Sequence, residues 1–179
     1  MLNTKLISKI FGSLLLIEAL LMSCSLGVAL YYGGSDVMPF TWSVVVLIAA
    51  GVAFRLLGLK ASNALSRRDA YFVVTTVWVL FTIFGMMPFL IGGYLHSVTD
   101  AFFETISGFT TTGATIIDYP ERLPRGLLFW RSITQWIGGL GIVFFTIAIL
   151  PSFVGGSTRV FAAEATGPIV TKLHPKLST

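Results

Sequence analysis

The stretch that decides the fold runs from Thr99 to Thr115 and reads Thr-Asp-Ala-Phe-Phe-Glu-Thr-Ile-Ser-Gly-Phe-Thr-Thr-Thr-Gly-Ala-Thr. Its first half, Asp100 to Phe109, predicts a short helix with Thr99 or Asp100 as the N-terminal cap. A helix of that length covers about 15 Å, roughly half of a bilayer core. The β-branched run that follows, Thr110 to Thr112, favours an extended backbone, and Gly113 permits backbone angles that other residues resist. We therefore expect a half-length helix that leads into an extended segment.

Apolar segments lie on both sides of this stretch, and that layout is typical of a pore loop. Irregular backbone is tolerated at membrane depth only where it is buried in protein or lines a water-filled path. In a cation filter, backbone carbonyls replace the hydration shell of the ion. The negative end of the helix dipole, near Phe109, would point at that ion.

Two motifs resemble the TrkH/TrkG/KtrB family of potassium-uptake proteins. The first, Ser107 to Thr115, is similar to the first filter of that family. The second combines Phe129-Trp130-Arg131-Ser132 with Gln135-Trp136-Ile137-Gly138-Gly139 and resembles the start of the family's following helix. The likeness extends over essentially all 179 residues. It implies transport of K⁺ by a chain that is not an enzyme and needs no cofactor, with coupling to H⁺ or Na⁺ left open.

The resemblance also implies which residues bind K⁺ and which partners complete the pore. Thr111, Thr112 and Gly113, and next Thr110, are expected to coordinate K⁺ through their backbone carbonyls. The family builds its pore from four such repeats in one chain, whereas this sequence has one. We expect the missing repeats in the rest of a longer chain, since the family's extra N-terminal hairpin occurs once per four repeats. The alternatives are a homotetrameric cation channel and a non-conducting assembly module, and a cytoplasmic nucleotide-binding regulatory subunit is the implied partner.

Composition places the chain in the membrane. Hydrophobic residues make up 55% of it, charged residues 11%, and the mean hydropathy is +0.86. A soluble domain carries about 25% charged residues, so membrane lipid is the expected surrounding. The net charge of +4 does not indicate nucleic acid, because the basic residues lie at the ends of apolar segments. The single cysteine, Cys24, excludes an internal disulfide.

The predicted fold is an all-α, polytopic membrane protein. Residues 1–60 form an N-terminal transmembrane hairpin, 61–151 one helix–pore loop–helix repeat, and 152–179 a cytoplasmic linker. Pro88 is expected to kink or end the third span, and Pro151 to stop the fourth. The four predicted spans are Leu6–Tyr32, Pro39–Leu59, Tyr71–Ile91 and Gly126–Leu150.

Basic residues gather on one side of the predicted spans. By the positive-inside rule both termini are cytoplasmic and the filter opens outward. The family resemblance implies that the membrane is the inner membrane of a bacterial cell. Only Arg122 and Arg125 lie on the outer side. The basic residues on the inner side are Lys5, Lys9, Arg55, Lys60, Arg67, Arg68, Arg159, Lys172 and Lys176.

Charged residues also lie deep within the predicted membrane segments, among them Glu18, Glu104 and Arg131. Glu104 in the pore helix and Arg131 in the fourth span are expected to reach similar depths and to pair, which would brace the pore helix. An intramembrane carboxylate such as Glu18 is functional by default. We favour a structural role for Glu18, snorkelling or bonding a neighbouring helix, because it lies far in sequence from the filter.

Other chemistry finds little support in the sequence. A hydrolase would need a catalytic triad, for which the candidates are Ser107, His96 and Asp100. The sequence lacks the Gly-x-Ser-x-Gly elbow, and Ser107 is more simply a helix-end residue. His96 and His174 lie too far apart to form a metal site. The glycines at 138, 139 and 141 indicate close helix packing more than a hinge.

Overall fold

The computed structural model describes residues 3–59, 61 and 66–153. In these residues the regular secondary structure is helical, without a strand. The all-α fold predicted from the sequence is therefore confirmed. The elements in order are α1 Thr4–Tyr32, α2 Val37–Leu57, α3 Arg67–Gly85, α4 Met87–Ile91, α5 Val98–Phe109, the short 3-10 helix Pro120–Arg122, and α6 Arg125–Phe153.

Three helical segments of the described chain are long and apolar enough to cross a membrane. They are Thr4–Tyr32, Val37–Leu57 and Arg68–Ile91, the last of which joins α3 and α4. Helix α6 is 29 residues long, and a helix of that length extends over about 43 Å. Three of the predicted spans are thus confirmed as membrane-length helices, and the fourth segment forms a helix of sufficient length.

The third span is broken where Pro88 predicts a break. Helix α3 ends at Gly85, and Pro88 lies at the start of α4, where its missing N–H is not needed. Across the break the Phe89 N–H donates to the carbonyl of Met86, at 3.1 Å, rather than to that of Gly85. The Gly85 carbonyl accepts the indole N–H of Trp130 instead, at 2.9 Å. The kink therefore supplies the acceptor that joins α6 to the end of α3.

Helices α1 and α2 form a closely packed hairpin. A Cβ on Gly12 would stand 2.6 Å from the backbone of Gly51 and Arg55, and a Cβ on Gly51 would stand 2.9 Å from Leu16. Glycine at both positions lets the two backbones approach, as small residues do in other membrane helix pairs.

Polar contacts tie both ends of the bundle. The Asn3 N–H donates to Asp69 Oδ1 at 3.1 Å, so α1 and α3 begin at the same end, where a capping box between Ser66 and Asp69 starts α3. At the opposite end, the hydroxyls of Ser35 and Tyr94 share a hydrogen bond of 2.8 Å. Helix α5 follows Tyr94 closely and therefore starts at the end where α1 finishes.

Asp36 brings the start of α6 to that same end. Its side chain is buried, and its Oδ2 accepts the N–H of Leu127 at 3.0 Å. The first N–H groups of a helix have no partner inside the helix, and a carboxylate is favoured beside them. Asp36, in the turn between α1 and α2, thus acts as a cap for a helix that begins much later in the chain.

Residues up to Gly141 form one compact unit, and Ile142 begins a second. Helix α6 continues to Phe153, so the prediction that Pro151 stops it is wrong. Proline has a helical φ, and a helix can continue through it at the loss of one hydrogen bond. The predicted linker 152–179 lies outside the described residues from position 154 onward.

Candidate functional site

One side of helix α5 is buried in the protein. Its first turn is capped by Ser97, whose Oγ accepts the N–H of Asp100 at 3.5 Å. The predicted cap at Thr99 or Asp100 is wrong, because Val98 already begins the helix. The buried residues of the helix are Ala101, Glu104, Thr105, Ser107, Gly108 and Phe109.

Phe109, the last residue of α5, is fully buried in a cluster of aromatic rings. Its ring centroid lies 5.6 Å from that of Phe81, 6.4 Å from that of Trp130 and 6.5 Å from that of Trp78. Such aromatic pairs contribute about 0.5–1.5 kcal/mol each beyond their buried area. The cluster therefore fixes the carboxyl end of α5 between α3 and α6.

Residues 110–113 form a tight turn around this end of α5. The Thr111 N–H donates to the Gly108 carbonyl at 2.9 Å, and the Thr112 and Gly113 N–H groups donate to the Ser107 carbonyl at 3.0 and 3.5 Å. The predicted extended segment is therefore wrong for Thr110 and Thr111, which lie in the turn. The last carbonyls of a helix lack intrahelical donors, and these N–H groups satisfy them.

The backbone of the turn alternates in handedness. The angle φ is −84° at Thr110, 57° at Thr111 and 73° at Gly113, and Thr112 is not among the residues with positive φ. Glycine adopts a positive φ without steric cost. A β-branched residue such as Thr111 is strained there by roughly 1–3 kcal/mol, and strain of this kind clusters at ligand-binding sites.

Carbonyl groups of the turn face away from α5. In a trans peptide unit the N–H and the C=O point in opposite directions. Since the N–H groups of residues 111, 112 and 113 point at the helix end, the carbonyls of Thr110, Thr111 and Thr112 point away from it. Among the described residues, none donates a hydrogen bond to these carbonyls or to that of Gly113, and all four residues are exposed. The turn thus presents a row of free carbonyl oxygens.

After the turn the chain returns along α5 and is fastened to it. The Ser107 hydroxyl donates to the carbonyl of Ala114 at 2.6 Å. Glu104 Oε2 accepts the Thr115 hydroxyl at 2.9 Å and the Ile116 N–H at 3.1 Å. Positions 104 and 107 are three apart and share one side of the helix, which we call the filter face. This face holds the returning arm of the loop in place.

Arg131 of α6 completes the filter face. Its Nη2 lies 2.7 Å from Glu104 Oε1 and 3.2 Å from Thr115 Oγ1. The side chains of Arg131 and Glu104 are 21% and 2% exposed. The structure therefore brings together Arg131 and Glu104, for which the sequence predicts similar depths in the membrane. The carboxylate is paired and hydrogen-bonded, which is the condition under which a buried charge is tolerated.

Helix α6 also touches the end of α5 directly. A Cβ on Gly138 would overlap the carbonyl oxygen of Phe109, and one on Gly141 would stand 2.8 Å from the Trp78 ring, whereas one on Gly139 would meet no atom within 4 Å. The sequence predicts close helix packing, rather than a hinge, for these glycines, and close packing is present at Gly138 and Gly141. The absence of a side chain at Gly138 allows α6 to lie against the base of the carbonyl turn.

Glu18 lies on the opposite side of α5 from the filter face. It is fully buried, and neither of its oxygens has a hydrogen-bond partner. It therefore neither snorkels nor bonds a neighbouring helix, and both expectations are wrong. Although distant in sequence, Glu18 stands close to Thr105 and Phe109 around the missing side chain of Gly85. We call this side of α5, formed by Thr105 and Phe109, the bundle face.

Two residues that hold the site are not identified from the sequence. Ser107 is interpreted there as a helix-end residue, yet its hydroxyl fixes the returning chain; its spacing of three from Glu104 is the signal that could have indicated this. Asp36 lies in the turn between α1 and α2, and its contact with Leu127 spans 91 positions. No local pattern indicates a contact of that range.

A helical membrane chain with a carbonyl-lined turn of this kind has the features of a cation-transport protein. Residues 37–179 match the TrkH family model, which describes a cation transport protein. This match covers well over half of the chain. The chain belongs to the TrkH family.

Relatives with curated names agree with this assignment. The Trk system potassium uptake protein TrkH of Vibrio parahaemolyticus is 37% identical over 174 residues, which are 96% of this chain and 36% of that protein. The Trk system potassium uptake protein TrkG of Escherichia coli is 32% identical over 178 residues, 98% of this chain and 37% of that protein. The chain thus spans about a third of the length of these relatives.

A solved structure is also similar. The crystal structure of the potassium transporter TrkH from Vibrio parahaemolyticus superposes with a TM-score of 0.77 and 38% sequence identity. The superposition covers 82% of this chain and 32% of that one.

Proposed function

We propose that this chain supplies one pore repeat of a Trk-type system that carries K⁺ across the inner membrane of a bacterium. In this proposal α5 is the pore helix, α3 with α4 and α6 are the flanking spans, and the turn at residues 110–113 is one quarter of the selectivity filter. The named relatives are potassium uptake proteins, which favours K⁺ as the transported ion. K⁺ is substrate here, and the chain needs no catalytic residue.

The row of free carbonyls at Thr110, Thr111, Thr112 and Gly113 is the observation that carries the proposal. Carbonyl oxygens can replace the hydration shell of K⁺ when several rings of them surround the ion. The N–H groups of the turn are engaged by α5, so the oxygens are held in place before the ion arrives. The carboxyl end of α5 adds the negative end of a helix dipole beneath them.

One turn cannot surround an ion, so the proposal includes further repeats. They would come from the remainder of a longer chain, as the coverage of the relatives favours, or from other copies of this chain. The exposed side of the turn is where those repeats would meet it. A cytoplasmic nucleotide-binding regulatory subunit, cytoplasmic termini, and coupling to H⁺ or Na⁺ belong to the same proposal.

The filter glycine provides the test. In a complete transporter that carries this sequence, Gly113→Ala and Gly113→Ser should lower the ratio of K⁺ to Na⁺ uptake, with serine tolerated better than larger residues. The reason is that φ of 73° is strained for any side chain, so the carbonyls would shift. Uptake is measured in cells that lack their own K⁺ transporters.

Gly93 offers a matched control for backbone strain. Its φ is 66°, and a Cβ there would also meet no atom within 4 Å. Gly93→Ala should therefore cost similar strain but leave the ratio unchanged. An unchanged ratio with Gly113→Asp would contradict the filter assignment. Uptake by the 179-residue chain alone would favour assembly from four copies.

A further inference from the structure

Glu18 is a buried acidic group that the proposed filter does not use. It lies at the centre of α1, about 21 Å from each end of the helix at 1.5 Å per residue. Its side chain is 0% exposed, and both carboxyl oxygens lack a hydrogen-bond partner among the described residues. Glu104 is nearly as buried, at 4%, but its oxygens accept several hydrogen bonds and pair with a cation.

One carboxyl oxygen of Glu18 lies beside carbon atoms of Thr105 and Phe109, next to Gly85. A Cβ on Gly85 would stand 3.2 Å from Glu18 Oε1, 3.1 Å from Thr105 Cγ2 and 3.0 Å from Phe109 Cε2. These three atoms, from α1 and α5, therefore converge on one point beside the end of α3. The Thr105 hydroxyl is itself buried without a partner. Both atoms that converge there with the carboxyl oxygen are carbon.

The charged groups of the neighbouring helices are directed elsewhere. On α5, the Glu104 carboxylate faces Arg131 and the returning loop. On α2, the Arg55 side chain lies beside Gly12, which is about 9 Å from Glu18 along α1. On α3, Asp69 lies at the far end of the helix, bonded to Asn3. No salt bridge to Glu18 is formed within the described residues.

An ionised carboxylate in such a place would be very costly, because neither water nor a cation compensates for the lost hydration. Binding a proton removes the charge and leaves a small polar group that an apolar contact tolerates better. We propose that Glu18 is a proton-binding site inside the membrane, occupied in the folded chain, and that the bound proton allows α1 to pack against the bundle face of α5. Release of the proton would place an unpaired charge directly behind the helix that carries the carbonyl turn.

Infrared spectroscopy of the chain in lipid vesicles tests the proposal. A protonated carboxyl has a C=O stretching band distinct from the bands of a carboxylate, and it shifts in D₂O. We expect such a band at neutral pH and expect Glu18→Gln to remove it. The matched variant Glu104→Gln should leave this band and reduce carboxylate absorption instead. A wild-type spectrum without the band, or a band that persists unchanged in Glu18→Gln, would overturn the proposal.

Thermal unfolding gives a second readout. The amide of glutamine has the shape and neutrality of the protonated acid, so Glu18→Gln should fold and should match the wild type at acidic pH, below the ordinary pKa of a glutamate, where the carboxyl is protonated in the folded and the unfolded chain alike. As the pH rises, the wild type should lose stability relative to the variant. The reason is that the unfolded wild-type chain releases the proton of Glu18 while the folded chain retains it, and the variant has no such proton. A variant that fails to fold, or that shows the same pH dependence as the wild type, would contradict the proposal.

Discussion

The filter face and the bundle face of α5 hold the same helix by opposite means. On the filter face, Glu104 is joined to Arg131 and to the returning loop by an ion pair and hydrogen bonds. On the bundle face, Glu18 approaches with no polar partner, beside Gly85, Thr105 and the ring of Phe109. Two glutamates of similar burial thus occupy sites of opposite character. Burial alone does not determine whether a carboxyl is charged, because its partners decide that.

Breaking the ion pair should have the largest effect. Removing one partner of a buried pair costs about 3–5 kcal/mol. Because Arg131 is partly exposed, we expect Glu104→Gln and Arg131→Gln each to lower the free energy of unfolding by about 3 kcal/mol. The free energy of unfolding in detergent measures the loss. If the side chains act together, the double variant loses less than the sum of the single variants. Strictly additive losses would show that the filter face does not depend on this pair.

A smaller effect is expected from Gly138→Ala, which tests the contact between α6 and the end of α5. The new Cβ would overlap the carbonyl oxygen of Phe109, and overpacking of this kind costs about 1–3 kcal/mol. Gly139→Ala is the control, since its Cβ meets no atom within 4 Å; it should be neutral or slightly stabilising in a helix. Equal unfolding free energies for the two variants would contradict the close contact.

The smallest effect concerns the bundle face, where Trp130 donates to the carbonyl freed by the Pro88 break. Trp130→Phe keeps an aromatic ring beside Phe109 but removes a hydrogen bond of 2.9 Å. The hydrogen bond itself is expected to account for about 1 kcal/mol of the lost unfolding free energy, the smallest of the three contributions, and the smaller ring adds the cost of the emptied buried volume. Trp136→Phe serves as the control, because Trp136 is exposed. A loss no greater than that of the control would mean that the bond contributes nothing to stability.

The sequence predicts those features that depend on depth and periodicity. Helical rise alone places Glu104 and Arg131 at one level, and the structure brings them into contact. Pro88 predicts the break in the third span, since its chemistry acts on its own neighbours.

Features that depend on the environment are not predicted. Thr110 and Thr111 have an extended preference, yet they form a turn because the free carbonyls of α5 offer hydrogen bonds and no strand is nearby among the described residues. The isolation of Glu18 follows from the packing of α1, α3 and α5 around Gly85, which no local pattern encodes. For the threonines, hydrogen bonds to α5 outweigh the local backbone propensity. For Glu18, residues distant in sequence determine the surroundings.

The bond from Asp36 to Leu127 has a consequence for biosynthesis. A ribosome releases the N-terminal hairpin well before it releases α6, because 91 positions separate the two residues. The Asp36 carboxylate that caps the first turn of α6 is therefore synthesised before α6 enters the membrane. A chain synthesised without the hairpin would deliver α6 with its first turn uncapped by Asp36.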